Sequence, residues 1–78
     1  MTAVEADLRD LVAELAELDP ESLGLDTPFP EAGIDSLLAM EIAVHVEARF
    51  GVRFTDSDVK QAQTIASLAA IIVAQAHA

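Results

Sequence analysis

The sequence predicts an all-α fold: a four-helix bundle with three longer helices, one short helix and a long loop between the first two helices. Apolar residues recur at spacings of three and four in three separate segments, as on one face of a helix. Of the 41 hydrophobic residues, 15 are alanine, the strongest helix former, and only three residues are aromatic. A length of 78 residues suits one domain, which we expect to span residues 1–78.

The first helix is predicted over residues 3–18, with six apolar residues on one face: Val4, Leu8, Leu11, Val12, Leu15 and Leu18. Pro20 ends it, because proline disfavours helical backbone at the residue before it. Residues 19–34 show no periodicity. A connection of that length in a compact domain is functional or contains a short turn of its own. Its predicted contacts with the core are Leu23, Leu25, Phe29 and Ile34.

The remaining three helices have recognisable start signals. Asp35 is a good N-cap for a second helix over Ser36–Phe50, and Gly51 supplies its stop. A capping-box spacing at residues 55–58 predicts a short third helix over residues 56–61. Thr64 precedes a fourth helix over residues 65–76, whose inward face is Ile65, Leu68, Ala69 and Ile72.

The second helix has two apolar faces, although a helix in a small bundle needs only one. The core face holds Leu38, Ile42, Val46 and Phe50. The second face, flanked by Glu41 and Glu47, holds Leu37, Met40, Val44 and Ala48. Either the long loop covers this second face or it is exposed and docks other proteins. We favour docking, because the face begins beside Ser36.

Ser36 is the candidate functional residue, although a serine on a first helical turn is commonly only a cap-region residue. Serine hydrolysis is not expected: no Gly-x-Ser-x-Gly turn surrounds Ser36, and the histidines are His45, far along the same helix, and His77. A helix N-terminus favours anions, so a phosphodiester on Ser36 would be stabilised there. Asp35 could then position a metal ion or hydroxyl for an enzyme that installs it.

Composition restricts the partners and the compartment. The net charge of −10 argues against nucleic acid and anionic membranes and favours partners with basic patches. Residues 1–35 contain ten acidic residues and one arginine, so most of this charge lies in the first half. Cysteine is absent, and Asp56 and Asp58 are better interpreted as helix-cap charges than as a calcium loop, so we expect no metal site. Without a signal peptide or a long apolar run, we expect a cytoplasmic protein. We also expect a monomer.

The segment Gly33-Ile34-Asp35-Ser36-Leu37 resembles the Gly-x-Asp-Ser-Leu attachment motif of acyl carrier proteins, the four-helix carriers of fatty-acid and polyketide synthesis. The resemblance covers essentially the whole chain. It includes the acidic first helix, the proline-rich loop, the segment Phe50-Gly51-Val52 and the segment Thr64-Ile65-Ala66-Ser67-Leu68.

This resemblance implies that Ser36 accepts 4′-phosphopantetheine from coenzyme A through a phosphopantetheinyl transferase, with Asp35 and Leu37 as flanking motif residues. The thiol of that arm would carry acyl groups as thioesters. The chain itself would catalyse nothing. The second helix resembles the recognition helix of the family, which implies a docking surface formed by Leu37, Met40, Glu41, Val44 and Glu47.

The second helix departs from the densely acidic helix of fatty-acid carriers, because Arg49 and His45 accompany its two glutamates. We therefore expect a discrete carrier of a polyketide or mixed polyketide–peptide pathway, served by an acyltransferase or acyl ligase and a ketosynthase with basic docking patches. Residues 36–40 also resemble peptidyl carrier domains, so a peptidyl carrier is one alternative function. An unmodified helical adaptor that docks basic partners through the second helix is another.

Overall fold

Four α-helices form the fold: α1 (Ala3–Leu15), α2 (Ser36–Phe50), α3 (Asp56–Gln61) and α4 (Ile65–Ala76). The computed structural model describes residues 1–76, in which every regular element is helical. Helix α1 packs against α2 and α4, and α3 contacts α2. The predicted all-α fold, with three longer helices and one short helix, is confirmed.

The predicted end of α1 at residue 18 is wrong, because the helix ends at Leu15. Glu17 adopts left-handed backbone with φ of 57°. The N–H of Leu18 then donates to the Ala13 carbonyl at 2.8 Å, and that of Glu17 to the Glu14 carbonyl at 3.2 Å. This is a Schellman ending without the usual glycine. Leu18 still packs against the core from the turn, so the apolar pattern continues past the helix.

The long loop contains two short 3₁₀ turns, Pro20–Ser22 and Phe29–Ala32, so it has turns of its own. Two backbone hydrogen bonds hold it to the region around the start of α4. The Phe29 N–H donates to the Gln63 carbonyl at 2.7 Å, and the Ala66 N–H donates to the Leu25 carbonyl at 3.0 Å. The predicted loop contacts are confirmed: three of these side chains are buried and the fourth packs against the core (Leu23, Phe29, Ile34 and Leu25).

The core combines these loop residues with one face of each long helix. Its largest fully buried side chains are Leu8, Val12, Leu23, Ile42, Val46 and Ile65. The predicted inward face of α4 is buried throughout. The Thr64 hydroxyl accepts the Ser67 N–H at 3.1 Å, which supports the predicted cap of that helix.

Helix α3 begins with a complete capping box. The Thr55 hydroxyl accepts the Asp58 N–H at 3.0 Å, and the Asp58 carboxylate accepts the Thr55 N–H at 3.0 Å. Asp58 therefore has the helix-cap role predicted for it. Among residues 1–76, no group of three His, Cys, Asp or Glu side chains is placed to hold a metal ion.

Candidate functional site

The start of α2 is positioned by three consecutive residues. Gly33 has φ of 84°, a left-handed conformation that suits glycine, and it ends the second 3₁₀ turn. Ile34 follows and is buried in the core. The Asp35 carboxylate then accepts the Leu38 N–H at 2.8 Å and caps α2. A glycine turn, an apolar anchor and a cap thus fix the residue that comes next.

Ser36 is the first residue of α2, and its side chain is exposed. The free N–H groups of the first turn and the helix dipole create a positive field around this position. His45 is exposed on α2, nine residues further on, which corresponds to about 13 Å along the helix axis. A base at that distance cannot reach the serine hydroxyl. His77, the other histidine, lies outside the described residues.

A cleft of about 260 Å³ opens beside Ser36, between the second 3₁₀ turn, the first turns of α2 and helix α3. Its apolar part is lined by Phe29, Pro30, Ile34, Ala39, Met40 and Val59. The polar lining is Asp35, Ser36, Asp56, Lys60 and Gln63. Small-molecule sites typically have volumes of about 300–1,000 Å³, so this cleft is slightly too small to enclose a whole ligand of that kind. It has room for part of a slender chain attached at Ser36.

The second apolar face of α2 is exposed. Leu37, Met40 and Val44 have 69%, 53% and 63% of their surface accessible, and Ala48 is also exposed. We call these four residues the ridge. The long loop contacts the core elsewhere and leaves the ridge uncovered. Large exposed apolar side chains in a row are typical of protein-interaction sites.

The two glutamates beside the ridge differ in environment. Glu41 is exposed, whereas Glu47 is half-buried and its carboxylate accepts the Phe54 N–H at 2.7 Å. One of the two predicted docking charges therefore also holds the segment after α2. The sequence gives no sign of this, because the contact joins residues that only the fold brings together.

The arrangement fits a covalently attached anionic group. Ser36 offers an exposed hydroxyl in the positive field of a 15-residue helix, with room for an attached chain in the neighbouring cleft. Sequence reasoning missed part of this cleft: Phe29 was predicted only as a core contact, and Val59 and Lys60 were assigned no role. Their placement depends on how α3 packs beside α2.

Comparison with known families decides the class. Residues 6–72 match the protein-family profile described as the phosphopantetheine attachment site. The chain belongs to this family. It is a carrier domain whose cofactor is covalently attached 4′-phosphopantetheine, and such domains are generally non-catalytic.

Relatives of this carrier domain fall into two groups. It is 41% identical over 61 residues to an acyl carrier protein of Renibacterium salmoninarum, a match that covers 77% of this chain and 75% of that protein. It is 34% identical over 73 residues to the siderophore peptide synthetase fer3 of Mycosarcoma maydis. That match covers 92% of this chain but only 2% of the synthetase. Sequence similarity therefore does not distinguish between an acyl carrier and a peptidyl carrier.

A solved structure supports the same fold. The carrier domain superposes on a free-standing peptidyl carrier protein from an Acinetobacter baumannii secondary metabolic pathway with a TM-score of 0.81. The two are 26% identical, and the match covers 94% of this chain and 91% of that one. In the part of the chain that the structure describes, each helix is too short or too polar to cross a membrane.

Proposed function

We propose that Ser36 is the attachment site of 4′-phosphopantetheine and that the chain carries acyl groups between enzymes of a secondary-metabolite pathway, of polyketide type. The observation that carries the proposal is the position of Ser36, exposed at the first residue of α2 beside the cleft. It is the serine of the Gly33–Leu37 motif, and it lies within the residues that match the family.

Each neighbour of Ser36 has a separate role in this proposal. The N-terminal N–H groups and the dipole of α2 stabilise the phosphodiester anion. Asp35 holds the first turn through its bond to the Leu38 N–H and presents its second oxygen to the modifying enzyme. The bound group supplies a thiol that carries acyl cargo. The chain contributes no thiol of its own, since it contains no cysteine.

The proposed docking surface consists of three ridge residues and the two flanking carboxylates: Leu37, Met40, Val44, Glu41 and Glu47. A partner would bury the apolar side chains and place cationic groups against the glutamates. The proposed partners are a phosphopantetheinyl transferase, an acyltransferase or acyl ligase that loads the arm, and a ketosynthase. The exposure of the ridge beside the attachment serine supports this, because a docked enzyme then has the arm within reach.

A peptidyl carrier is the second candidate, and two findings favour it. Peptide synthetases are among the relatives, and the superposed structure is a peptidyl carrier protein. An amino-acid adenylating enzyme would then load the arm. The acyl and peptidyl alternatives share the attachment serine and the docking surface, so they differ only in the enzyme that loads the cofactor and in the cargo.

Attachment is tested with coenzyme A and a broad-specificity phosphopantetheinyl transferase, followed by intact-mass measurement. We expect wild-type protein to gain the mass of one phosphopantetheine group and Ser36→Ala to gain none. Ser57→Ala removes another exposed serine near a helix N-terminus and should be modified like wild type. An unmodified wild type, or an equal adduct on Ser36→Ala, would exclude the proposal. The former result would revive the unmodified adaptor.

The cargo class is tested by offering the holo protein to purified loading enzymes. One set contains acyltransferases and acyl ligases, and the other contains amino-acid adenylating enzymes. Loading is followed by intact mass, with Ser36→Ala protein as the blank. Loading by the acyl set alone supports the acyl carrier, whereas loading by the adenylating set alone replaces it with the peptidyl carrier.

A further inference from the structure

The segment between α2 and α3 is held by side chains from two helices. The side-chain oxygen of Gln75 in α4 accepts the Arg53 N–H at 2.9 Å, and the side-chain N–H of Gln75 donates to the Arg53 carbonyl. Glu47 of α2 accepts the N–H of Phe54, the next residue. Val52 on the other side is buried. The main chain at Arg53 is therefore fixed, although its side chain is exposed.

Arg53 lies at one end of a groove that continues the ridge. The groove is open, has a volume of about 450 Å³, and is lined by Val44, Glu47, Ala48, Gly51, Val52 and Arg53. Val44 and Ala48 belong to both the ridge and the groove. The ridge and the groove together run from Leu37, next to Ser36, to Arg53 beyond the end of α2.

The two ends of this surface differ in charge. Asp35 and Glu41 are exposed at the start of α2, whereas the groove residues include one cation, Arg53, together with the half-buried Glu47. A guanidinium group on a fixed main chain loses less conformational freedom when it binds, and its planar fork matches a carboxylate. The chemistry that complements Arg53 is therefore an aspartate or glutamate on the partner.

We infer that the docking surface extends through the groove to Arg53 and that the loading enzyme carries a carboxylate opposite this residue. The same enzyme places an apolar side chain against Val44 and a cation against Glu41. The inference rests on the proposed function and specifies its partner. The two charged contacts orient the enzyme along α2, because reversed docking would place its carboxylate against Glu41 and its cation against Arg53.

Gln75 is a positioning residue in this arrangement. It holds the Arg53 main chain through two hydrogen bonds and lines neither the cleft nor the groove. Loss of its amide would loosen the main chain at Arg53, although Val52 and Phe54 stay held, so Arg53 would have to be ordered each time a partner binds.

The test uses holo protein and the acyltransferase, acyl ligase or adenylating enzyme that loads it. Arg53→Glu should raise the KM of that enzyme for the carrier about tenfold and leave kcat unchanged. Arg49→Glu is the matched control. Arg49 is also exposed, but it lies about 140° around α2 from Val44 and outside the groove. We expect the KM of the loading enzyme for Arg49→Glu to stay within about twofold of its value for wild type. Circular dichroism confirms that both variants are folded.

The outcomes separate this inference from the proposed function. If Arg53→Glu and Arg49→Glu load alike while wild type accepts phosphopantetheine, the Arg53 contact is excluded and the carrier function stands. If wild type accepts none, both are excluded. A change of one partner carboxylate to lysine that restores loading of Arg53→Glu would establish the pair.

A double-mutant cycle tests the role of Gln75. Gln75→Ala should raise KM about threefold without changing kcat, and it should add little to Arg53→Glu, because both changes act on one contact. Full additivity of the two effects, or a change in kcat instead of KM, would exclude the positioning role.

Discussion

The Glu47 carboxylate accepts the main-chain N–H of Phe54 at 2.7 Å, and this bond joins the last turn of α2 to the segment that follows it. Both residues are half-buried. A hydrogen bond to a carboxylate in such a setting is stronger than one between neutral groups in water. The same glutamate lies beside the ridge, so one side chain serves both the fold and the proposed docking surface.

Glu47→Ala should lower the free energy of unfolding by about 1–2 kcal/mol, because it leaves the half-buried Phe54 N–H without its acceptor. Glu47→Gln keeps an acceptor oxygen and should lose less than half of that. Urea denaturation followed by circular dichroism measures both, since a chain without Trp or Tyr offers little intrinsic fluorescence. Equal stability of Glu47→Ala and wild type would show that the bond contributes nothing.

Asp35 allows the cap to be separated from the attachment chemistry. Asp35→Ala should lower the free energy of unfolding by about 1 kcal/mol, because the Leu38 N–H loses its partner. Asp35→Asn retains a capping oxygen and should stay within about 0.5 kcal/mol of wild type. If the carboxylate assists the transferase, Asp35→Asn should be modified about tenfold more slowly despite its normal stability. If Asp35→Asn is modified at the wild-type rate, Asp35 acts only as the helix cap.

The ends of α1 and α2 show which features of the fold the sequence could predict. Gly51 adopts φ of 68° and ends α2 at the expected residue, because glycine marks the left-handed position. The turn after α1 places Glu17 in the same region, and nothing in its residue type indicates this. The apolar pattern does not mark the end of α1 either, because Leu18 packs on the core from outside the helix.

The candidate site also combines features that the sequence predicts with contacts that it does not predict. Ser36, its cap and the second apolar face follow from short-range spacing, and the structure places them as expected. The contacts of Glu47 with Phe54 and of Gln75 with Arg53 join residues 7 and 22 positions apart in the chain. Their polar side chains have no periodic pattern, so only the packing of α4 against its neighbours brings the second pair together.

Glu17→Gly should stabilise the protein by about 0.5 kcal/mol. Left-handed backbone costs a residue with a β-carbon about 1 kcal/mol, and the added freedom of glycine in the unfolded chain offsets part of the gain. Glu14→Gly is the matched control. Glu14 is also an exposed glutamate but has helical backbone in the last turn of α1, so glycine there should destabilise by about 0.5 kcal/mol. Thermal melts that shift in the same direction for both variants would contradict the assigned strain.

Leu23 tests whether the long loop is part of the core. Its side chain is fully buried although it lies outside the four helices. Leu23→Ala should lower the free energy of unfolding by about 2–5 kcal/mol, as for a leucine of a helical core. Leu25→Ala, at a half-buried position of the same loop, should cost clearly less. A loss at Leu23 no larger than that at Leu25 in urea denaturation would mean that the loop packs loosely.

The ridge is the last feature open to a direct test. Met40→Glu should change the free energy of unfolding by less than about 0.5 kcal/mol, because the side chain is 53% exposed. It should nevertheless lower kcat/KM of the loading enzyme by about tenfold or more, since a charge would enter the apolar centre of the interface. Val73→Glu changes an apolar residue of α4 that is 40% exposed and should load within about twofold of wild type. Equal loss at both positions would indicate a general effect of added negative charge, and the specific role of the ridge would have to be abandoned.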